Sequence, residues 1–296
     1  MTNTLLHGHC LDVLPTLPSG SVQAVITSPP YWQQRSYGGV DAQWGDWIGE
    51  LGREPTVRQF VDNLVSVFAQ VRRVLKDDGV LWVNIGDTYS TGKDATLPAK
   101  CLIGVPWRFA LAMIDDGWIL RQDIIWHKAN PLPESVTDRC TKAHEYIFMF
   151  VRQADYAWNH DAMQEQATQP SGQVSAAHKK WHPRNGAETL LGVKHTHSGF
   201  NEDWVASGHR NKRSVWTLGH AASKMNHFAS FPEKLIVPMV MASSAVGDTI
   251  LDLFSGTGTT ACVASSLGRV GIGIDINETY HKDAMTRVSR TNIGFM

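Results

Sequence analysis

Residues 249–275 read TILDLFSGTGTTACVASSLGRVGIGID and follow the pattern of a strand, a glycine loop, a helix and a second strand. The apolar runs Thr249–Phe254 and Val270–Ile274 predict buried strands, and Thr260–Leu267 predicts the helix between them. Two strands joined by a helix lie parallel in one sheet, with their carboxyl ends at the same edge. The stretch therefore predicts an α/β fold whose ligand site lies beside the glycine loop.

The glycine loop, Asp252-Leu253-Phe254-Ser255-Gly256-Thr257-Gly258-Thr259-Thr260, limits the kind of ligand. Its glycines let the backbone approach a ligand closely, and the following helix offers unpaired N–H groups. Asp275, at the end of the second strand, is placed to accept hydrogen bonds from ribose hydroxyls. Residues 256–261 read GTGTTA, which is neither a dinucleotide motif nor a P-loop. An adenosine ligand without pyrophosphate fits best, and the alternative is a tight turn with a solvated aspartate.

The same alternation of strand-like and helix-like runs extends over residues 1–154 and 227–296. It predicts parallel strands covered by helices. Two glycine turns, at Asp77-Asp78-Gly79 and Asp115-Asp116-Gly117, are predicted to end helices. The alternating runs are Ala24–Ile26, Phe60–Leu75, Val80–Ile85, Val105–Ile114, Ile119–Trp126 and Tyr146–Val151, followed in the last region by helices at Phe231–Ala242 and Thr279–Arg290.

Composition and charge exclude several classes of protein. The chain has 296 residues, a formal net charge of −1 and a pI near 6.9, so any nucleic-acid contact must come from a local patch. Its 4 cysteines lie far apart and form no CxxC pair, so they suggest neither a disulfide framework nor a zinc knuckle, and no metal site is predicted. The first residues, MTNTLLHGHC, lack the pattern of a signal peptide, and no apolar run reaches membrane-spanning length. We expect a cytoplasmic protein with no membrane partner.

A second loop, Thr27-Ser28-Pro29-Pro30-Tyr31-Trp32, directly follows the apolar run Val22–Ile26. The two prolines restrict the backbone, so the Ser28 hydroxyl and the Pro29 carbonyl can be held at fixed positions. Two fixed acceptors next to an aromatic ring suit a flat substrate that carries an amino group, such as a flipped nucleobase. The alternative is an ordinary turn that ends a strand.

Residues 155–226 differ from the rest of the chain in having weak periodicity and many basic and small polar residues. Basic clusters interleaved with Trp181, Trp204 and Trp216 suit phosphate contacts combined with base or groove contacts. The alternative is a solvated insertion. The candidate DNA-binding residues are Lys179, Lys180, Arg184, Arg210, Lys212 and Arg213.

Further blocks extend the two motifs along the chain: LLHGHCLDVLPTLPSGSVQAVITSPPYW (5–32), LKDDGVLWVNIGDTY (75–89), GVPWRFALAMIDDGWILRQDIIWHKANPLPESVTDRCTKAHEYIFMFVR (104–152) and HFASFPEKLIVPMVMASSAVGDTILDLFSGTGTT (227–260). In this order they resemble the amino-methylating DNA methyltransferases of the permuted β group, of the SPPY type. The resemblance implies a circularly permuted, Rossmann-like methyltransferase sheet. Residues 1–154 would form the catalytic half, 155–226 an inserted target-recognition region, and 227–296 the half that binds S-adenosylmethionine.

The resemblance also implies roles for individual residues. Ser28 and the Pro29 carbonyl would hold the target amine, while Pro30 completes the motif and Tyr31 stacks on the base. For the cofactor, S-adenosylmethionine, Asp252 would lie near the amino acid end and Asp275 would hold the ribose. The other cofactor residues would be His227, Phe254, Gly256, Gly258 and Thr259. The implied partners are double-stranded DNA and a possible cognate restriction endonuclease, in a bacterial or phage-encoded system.

Three positions depart from the family's pattern. His9 stands where an aspartate is common, in Gly8-His9-Cys10. Leu253 replaces a common proline, and Asp275 replaces a common glutamate, which keeps the carboxylate with a shorter reach. These departures bear on contacts with the base or the cofactor.

The target atom follows from Ser28 by family resemblance. Serine at this position is typical of cytosine-N4 enzymes, whereas aspartate or asparagine is typical of adenine-N6 enzymes, so we predict cytosine N4 and keep adenine N6 as the alternative. A C5-cytosine enzyme is excluded because none of the cysteines follows a proline. Two further alternatives are a protein-amide methyltransferase and a DNA-binding module without catalytic activity.

Overall fold

The structure, a computed structural model, describes residues 3–36, 41–92, 97–166, 209–219 and 231–293. Within these ranges the strands are β1 Thr4–His7, β2 Val22–Thr27, β3 Ala42–Trp44, β4 Trp47–Gly49, β5 Leu75–Ile85, β6 Ile119–Lys128, β7 His144–Val151, β8 Gln164–Gln166, β9 His209–Asn211, β10 Val215–Leu218, β11 Thr249–Asp252 and β12 Val270–Asp275. Eight of them form one sheet in the order β1-β12-β11-β2-β5-β7-β6-β10, while β3–β4 and β8–β9 form separate two-stranded sheets.

The helices of the described residues are α1 Cys10–Val13, α2 Val57–Val74, α3 Val105–Asp115, α4 Glu233–Ser243, α5 Thr259–Ser266 and α6 Glu278–Ile293. Short 3-10 turns occur at Leu14–Thr16 and Asp161–Met163. None of the helices in these described ranges is long and apolar enough to cross a membrane. The predicted α/β fold is confirmed.

The amphipathic pattern of α2 explains both its start and its buried face. Thr56 caps the helix, because its hydroxyl accepts a hydrogen bond from the Gln59 N–H at 3.2 Å. Phe60, Leu64 and Phe68 recur every four residues and are fully buried. Burial of side chains of this size contributes about 2 kcal/mol each, so α2 is held mainly by its packing against the sheet and α3.

One of the two predicted glycine turns is wrong. The helix ends directly at Leu75, and residues 77–79 belong to β5 rather than to a turn. Gly79 serves a different purpose: a Cβ there would lie 3.0 Å from the Gln23 carbonyl oxygen. The register between β2 and β5 shifts between Val22 and Ala24, and glycine allows the two backbones to approach at this irregularity. The other turn is confirmed, since Gly117 follows α3 with φ 90°.

The sheet is mostly parallel, with one exception. β7 runs antiparallel to both β5 and β6, whereas every other pairing in the sheet is parallel. The segment between β6 and β7 contains no helix in the described residues, so the chain returns antiparallel instead of crossing over. As a result β7 begins at the edge where β2, β5 and β6 end.

The chain divides into two compact units. The first comprises Met1–Asn159 and Ser214–Met296 and holds the eight-stranded sheet. The second, His160–Arg213, contains the antiparallel pair β8–β9. The edge strand β10 lies in the first unit, although the sequence placed its residues within 155–226. The interpretation of Trp216 as a DNA-contacting aromatic is wrong, because Trp216 is buried in β10.

Candidate active site

The two sequence motifs meet at the carboxyl edge of the sheet, in a cavity of about 670 Å³. The carboxyl edge of parallel strands is where α/β folds bind their ligands. The predicted catalytic residues therefore share one cavity with most of the predicted cofactor residues. Predicted site residues that line it are Ser28, Pro29, Pro30, Tyr31, Asp252, Phe254, Gly256, Thr259 and Asp275.

Asp252 joins the two motifs. Its Oδ1 accepts hydrogen bonds from Thr27 Oγ1 at 2.7 Å and from the Phe254 N–H at 3.1 Å. Its Oδ2 accepts from Thr260 Oγ1 at 2.7 Å. Burial raises the pKa of Asp252 to about 6, and the hydrogen bonds from Thr27 and Thr260 oppose that rise. The carboxyl group thus ties the end of β2 to β11 and α5, and its predicted contact with a cofactor stays a prediction.

The glycine loop has the backbone geometry that its sequence predicts. Gly256 and Gly258 have φ 50° and 76°, the left-handed region that favours glycine. A Cβ on Gly256 would meet no heavy atom of the described residues within 4 Å, so this glycine faces open space. A Cβ on Gly258 would lie 3.2 Å from Ala284 Cβ, so that glycine faces α6. Gly256 is therefore the loop glycine that leaves room for a ligand.

Asp275 lies beside the loop, at the end of β12. Its Oδ2 accepts from the Gly256 N–H at 2.7 Å and its Oδ1 from the Asn277 N–H at 2.8 Å. A carboxylate offers about four acceptor positions, so both oxygens can also accept from a ligand hydroxyl. Together with the open side of Gly256, this arrangement fits the ribose of an adenosine ligand. Thr259, at the start of α5, accepts from Arg287 Nη1 at 2.9 Å.

The Ser28–Trp32 loop is anchored at both ends. Thr27 bonds to Asp252 before it, and the buried Trp32 donates from Nε1 to the Glu54 carbonyl at 3.1 Å after it. The Tyr31 ring lies against Gly86, where a Cβ would be 2.5 Å from Tyr31 Cε2. The two anchoring hydrogen bonds and the contact of the Tyr31 ring with Gly86 position the loop, in addition to the restriction that its two prolines place on the backbone.

The polar residues that line the cavity and that sequence reasoning did not identify include Asn84, Asp87, Lys128, Lys142 and Glu145. A signal existed for the first two, because Asn84 lies near the carboxyl end of the predicted strand Val80–Ile85 and Asp87 follows that strand. Asp87 Oδ1 accepts from the N–H groups of Gly104 and Val105, each at 3.0 Å, and so caps α3. The other three lie on either side of the β6–β7 connection, where no local motif marks them.

Two lysines flank Glu145. Lys128 Nζ donates to Glu145 Oε1, and Lys142 Nζ donates to the Asp87 carbonyl oxygen. Burial lowers the pKa of Lys142, while the charges of Asp87 and Glu145 oppose that decrease. The cavity thus combines a buried carboxylate with two amines on the side of the Ser28–Trp32 loop.

His9 occupies the position where the family pattern has an acid. Its ring makes an edge contact with Trp44, with ring centroids 4.5 Å apart, at the cavity wall. Burial lowers the pKa of His9, against the charge of Asp12. Its Nε2 is buried without a hydrogen-bond partner among the described residues. The departure thus places an uncharged donor or acceptor where a carboxylate was expected.

Three of the predicted DNA-binding residues are described by the structure, and all three belong to the second unit. Arg210 and Arg213 each donate from Nε to Glu165 Oε1 at 2.9 Å, across the β8–β9 pair. Desolvation acts to raise the pKa of Glu165, but the charges of Arg213 and Arg210 hold it below its usual value. Lys212 follows β9. The other predicted residues, Lys179, Lys180 and Arg184, lie outside the described residues, as does the predicted cofactor residue His227.

The mixed α/β fold, with its large central sheet, matches that of solved DNA methyltransferase structures. The match to known families is more specific. A family model described as DNA methylase, for enzymes of the N6/N4 type, matches residues 22–286. The chain belongs to this DNA methylase family, and the predicted family and α/β fold are confirmed.

Individual relatives agree with the family. The chain is 37% identical over 306 residues to the type II methyltransferase M.Cfr9I of Citrobacter freundii, covering 96% of this chain and 87% of the relative. It is 38% identical over 311 residues to M.XycI of Xanthomonas campestris pv. cyanopsidis, covering 98% and 89%. At this coverage both alignments extend across residues 155–226 as well as across the two motifs.

Solved structures share the fold over nearly the whole chain. The PvuII DNA methyltransferase, named as cytosine-N4-specific, superposes with a TM-score of 0.68 at 19% identity, covering 99% of this chain and 91% of its own. A putative DNA modification methylase of Thermus thermophilus, solved with S-adenosyl-L-methionine, gives a TM-score of 0.62 at 25% identity, covering 98% and 94%. The predicted cofactor, S-adenosylmethionine, is confirmed.

Proposed function

We propose that this chain methylates the exocyclic N4 amine of cytosine in double-stranded DNA. The observation that carries the proposal is Ser28, which the structure places at the end of β2 in the same cavity as the glycine loop. Serine at this position is typical of the cytosine-N4 members of the family. The likeness to the PvuII enzyme supports the fold only, so the choice of base rests on Ser28.

The chemistry requires an acceptor site for an amine. An exocyclic amine is a poor nucleophile, because its lone pair is delocalised into the ring. Hydrogen bonds from its two protons to Ser28 Oγ and the Pro29 carbonyl would favour a pyramidal nitrogen and stabilise the positive charge that develops on it. The fixed backbone of Pro29 and Pro30 holds these acceptors in place, so little reorganisation is needed at the moment of transfer.

The other side of the cavity would hold the cofactor. S-adenosylmethionine supplies a methyl group on a sulfonium, and this methyl passes to the amine nitrogen as the carbon–sulfur bond breaks toward sulfur. Asp275 would accept from the ribose hydroxyls, and Phe254 and Gly256 would line the methionine and adenosine portions. The amine nitrogen then releases one proton to solvent, and S-adenosylhomocysteine is the second product. No covalent bond to the protein forms, because the amine itself is the nucleophile.

Entry of the base requires that it leave the duplex. The target atom cannot reach an acceptor at the bottom of a cavity while the base is stacked, so we infer base flipping, with Tyr31 stacking on the extruded ring. Phosphate contacts from Lys179, Lys180, Arg184, Arg210, Lys212 and Arg213 would hold the duplex. The division into a catalytic half (1–154), a recognition region (155–226) and a cofactor half (227–296), circularly permuted, is part of this proposal.

Nucleoside analysis tests the target atom. DNA treated with the enzyme and methyl-labelled S-adenosylmethionine is digested to nucleosides and examined by mass spectrometry. The expected label is in N4-methylcytosine. Label in N6-methyladenine alone would contradict the cytosine assignment and leave the family assignment intact.

We also propose a type II restriction context, because M.Cfr9I and M.XycI are both named type II methyltransferases. A cognate endonuclease would cut the sequence that this chain methylates. Plasmid DNA from cells that express the chain should resist at least one type II endonuclease of a panel that cuts the unmodified plasmid. If every endonuclease of the panel cuts the plasmid, the chain does not protect the recognition sequence of any of them.

A further inference from the structure

A chain of polar groups extends from Ser28 into the protein, away from the glycine loop. Ser28 Oγ lies 3.4 Å from Tyr31 Oη, and Tyr31 Oη lies 2.6 Å from Glu145 Oε2 and 3.1 Å from Asn84 Oδ1. The contact to Glu145 has the length of a charge-assisted O–H to carboxylate bond. The longer contact from Ser28 is of the kind that tightens when a substrate binds.

The orientation of Asn84 is fixed by its backbone neighbour. Its Nδ2 donates to the Tyr146 carbonyl oxygen at 3.1 Å, and a carbonyl can only accept. The amide oxygen of Asn84 therefore faces Tyr31. The Tyr31 hydroxyl consequently lies between two groups that accept and do not donate, the Asn84 amide oxygen and the Glu145 carboxylate.

This arrangement fixes the direction of donation along the chain of hydrogen bonds, from Ser28 to Tyr31 and from Tyr31 to Glu145 or Asn84. The single proton of Tyr31 Oη goes to Glu145 or Asn84, and Tyr31 Oη accepts the proton of Ser28 Oγ. With its own proton engaged, Ser28 Oγ turns lone pairs toward the cavity. A serine hydroxyl without this partner can rotate and point its proton into the cavity. That proton would repel the amine protons of the substrate, which need an acceptor.

Glu145 is held in this role by its surroundings. It is 8% exposed, and its second oxygen, Oε1, accepts from Lys128 Nζ. Lys128 in turn lies over the Trp126 ring, 5.0 Å from its centroid. The two oxygens of Glu145 are thus divided between Lys128 and Tyr31, and the carboxylate cannot turn away without leaving one of them unpaired.

We propose that Asn84 and Glu145 are positioning residues that fix the direction of the Ser28–Tyr31 hydrogen bond, so that Ser28 meets the target amine as an acceptor. The inference rests on the proposed function, in which an amine is the substrate. It assigns a task to the Tyr31 hydroxyl in addition to any stacking by its ring. It also explains why a serine can take the place of a carboxylate or an amide at this position.

The direct test compares Glu145→Gln, Tyr31→Phe and the double variant. The glutamine of Glu145→Gln can donate from its NH₂ group to Tyr31 Oη and so reverse the direction of the hydrogen bonds. Tyr31→Phe removes the hydroxyl and interrupts them. We expect each single variant to lower kcat about 10- to 100-fold, less than deletion of a contact to the reacting group itself. KM for S-adenosylmethionine and its affinity by calorimetry should stay within about twofold, since the glycine loop is untouched.

The double variant separates positioning from a merely structural role. If Glu145 acts through Tyr31, the double variant should be no slower than Tyr31→Phe, because the chain is already broken. If Glu145 only supports Lys128 and the strands, the two losses should multiply. A multiplied loss, or a Tyr31→Phe enzyme with the wild-type kcat, would overturn the proposal. Tyr31→Phe also keeps the test decisive if Glu145→Gln does not fold.

A matched control is Asp248→Asn. Asp248 Oδ1 likewise accepts from a lysine of the sheet, Lys76 Nζ at 2.8 Å, but at the strand ends opposite the cavity. Its kcat should equal that of the wild type. Wild-type enzyme that methylates no DNA base would reject the proposed function itself, whereas active wild type with an unaffected Glu145→Gln would reject only the positioning role.

Discussion

Single residues at the site carry several tasks at once, and Asp252 shows this most directly. Its carboxyl group receives hydrogen bonds from β2, from the glycine loop and from α5, yet it is almost completely buried. Burial of a charge without a cation opposes ionisation even when three donors are present. The residue therefore links the two motifs at a cost in stability that depends on pH.

The folded-state pKa of about 6 gives the sign of that dependence. Because the pKa is raised on folding, the folded state binds more protons than the unfolded state between the two values, and stability falls as pH rises through that window. The free energy of unfolding of the wild type, relative to Asp252→Asn, should fall by about 1 kcal/mol from pH 5 to pH 7. Urea titrations at both values measure it, and a flat or rising difference would contradict the burial of this charge.

Gly86 is the second residue with a sharp expectation. A Cβ there would lie 2.5 and 2.8 Å from two carbons of the Tyr31 ring, so Gly86→Ala must displace the ring. We expect kcat to fall about 10- to 100-fold, because a shift near 1 Å in a positioning group is enough for such a loss. Thermal unfolding should change little, since the ring has the cavity on its other side. Unchanged kcat would show that Tyr31 need not lie against Gly86.

At this scale, sequence reasoning found the residues that sit in local motifs. Ser28, Tyr31, Gly256 and Asp275 were predicted because each belongs to a short pattern at a strand end. Asn84 and Glu145 were not, because their contact with Tyr31 depends on how β5 and β7 pair, 53 and 114 positions away in sequence. The turn predicted at Gly79 was wrong, because the local pattern of two aspartates and a glycine is typical of turns but here lies within β5.

At the scale of elements, the side chains of β12 determine how closely α5 and the loop before it can approach the sheet. The strand β12 contains Gly271 and Gly273, and both face α5 or its preceding loop at close range. A Cβ on Gly271 would be 2.6 Å from Ala261 Cα, and one on Gly273 would be 2.9 Å from Ser255 Cβ. Glycines in this strand therefore let the helix and the loop approach the sheet, which positions the N-terminus of α5 at the cavity.

Gly271→Ala should separate these elements. Because the atom that it meets is backbone, the strand and α5 must both move, and we expect a loss of about 2 kcal/mol in the free energy of unfolding. Denaturant titration measures the loss. Calorimetry should show weaker S-adenosylmethionine binding as well, since α5 leads out of the glycine loop. A change below about 0.5 kcal/mol would mean that the contact relaxes without moving the helix.

Long periodic elements were predictable from sequence and short ones were not. The helices α2 and α3 and the strands β5 and β7 were predicted because their apolar residues repeat with a clear period. β10 was missed, since Val215–Leu218 is a four-residue edge strand that follows a basic polar segment. The antiparallel direction of β7 was missed too, because direction depends on the connection and not on the strand's own residues.

For the whole molecule, charge decides how DNA is held. A net charge of −1 supplies no general attraction for a polyanion, so affinity must come from local basic residues, and we propose those of residues 155–226 for this role. Arg210 and Arg213 both form an ion pair with Glu165, so the three side chains together carry a net charge of about +1.

Replacement of Lys179, Lys180 or Arg213 by glutamine should weaken DNA binding more than cofactor binding. Each lost phosphate contact should flatten the plot of log affinity against log salt by about one unit of slope. Titration by fluorescence anisotropy at several salt concentrations gives the slope, with S-adenosylmethionine affinity by calorimetry as the control. An unchanged slope would remove that residue from the phosphate contacts.

The sheet order also has a consequence for synthesis on the ribosome. β2 lies between β5 and β11, and the Thr27–Asp252 bond spans 225 positions of the chain. At about 5 to 20 residues per second, the nascent chain exposes one edge of β2 for roughly 10 to 45 s before β11 is made. Unpaired strand edges recruit other chains. A newborn molecule therefore carries the Ser28–Trp32 loop beside an open strand edge until β11 has been synthesised, and only then can the Thr27–Asp252 bond form.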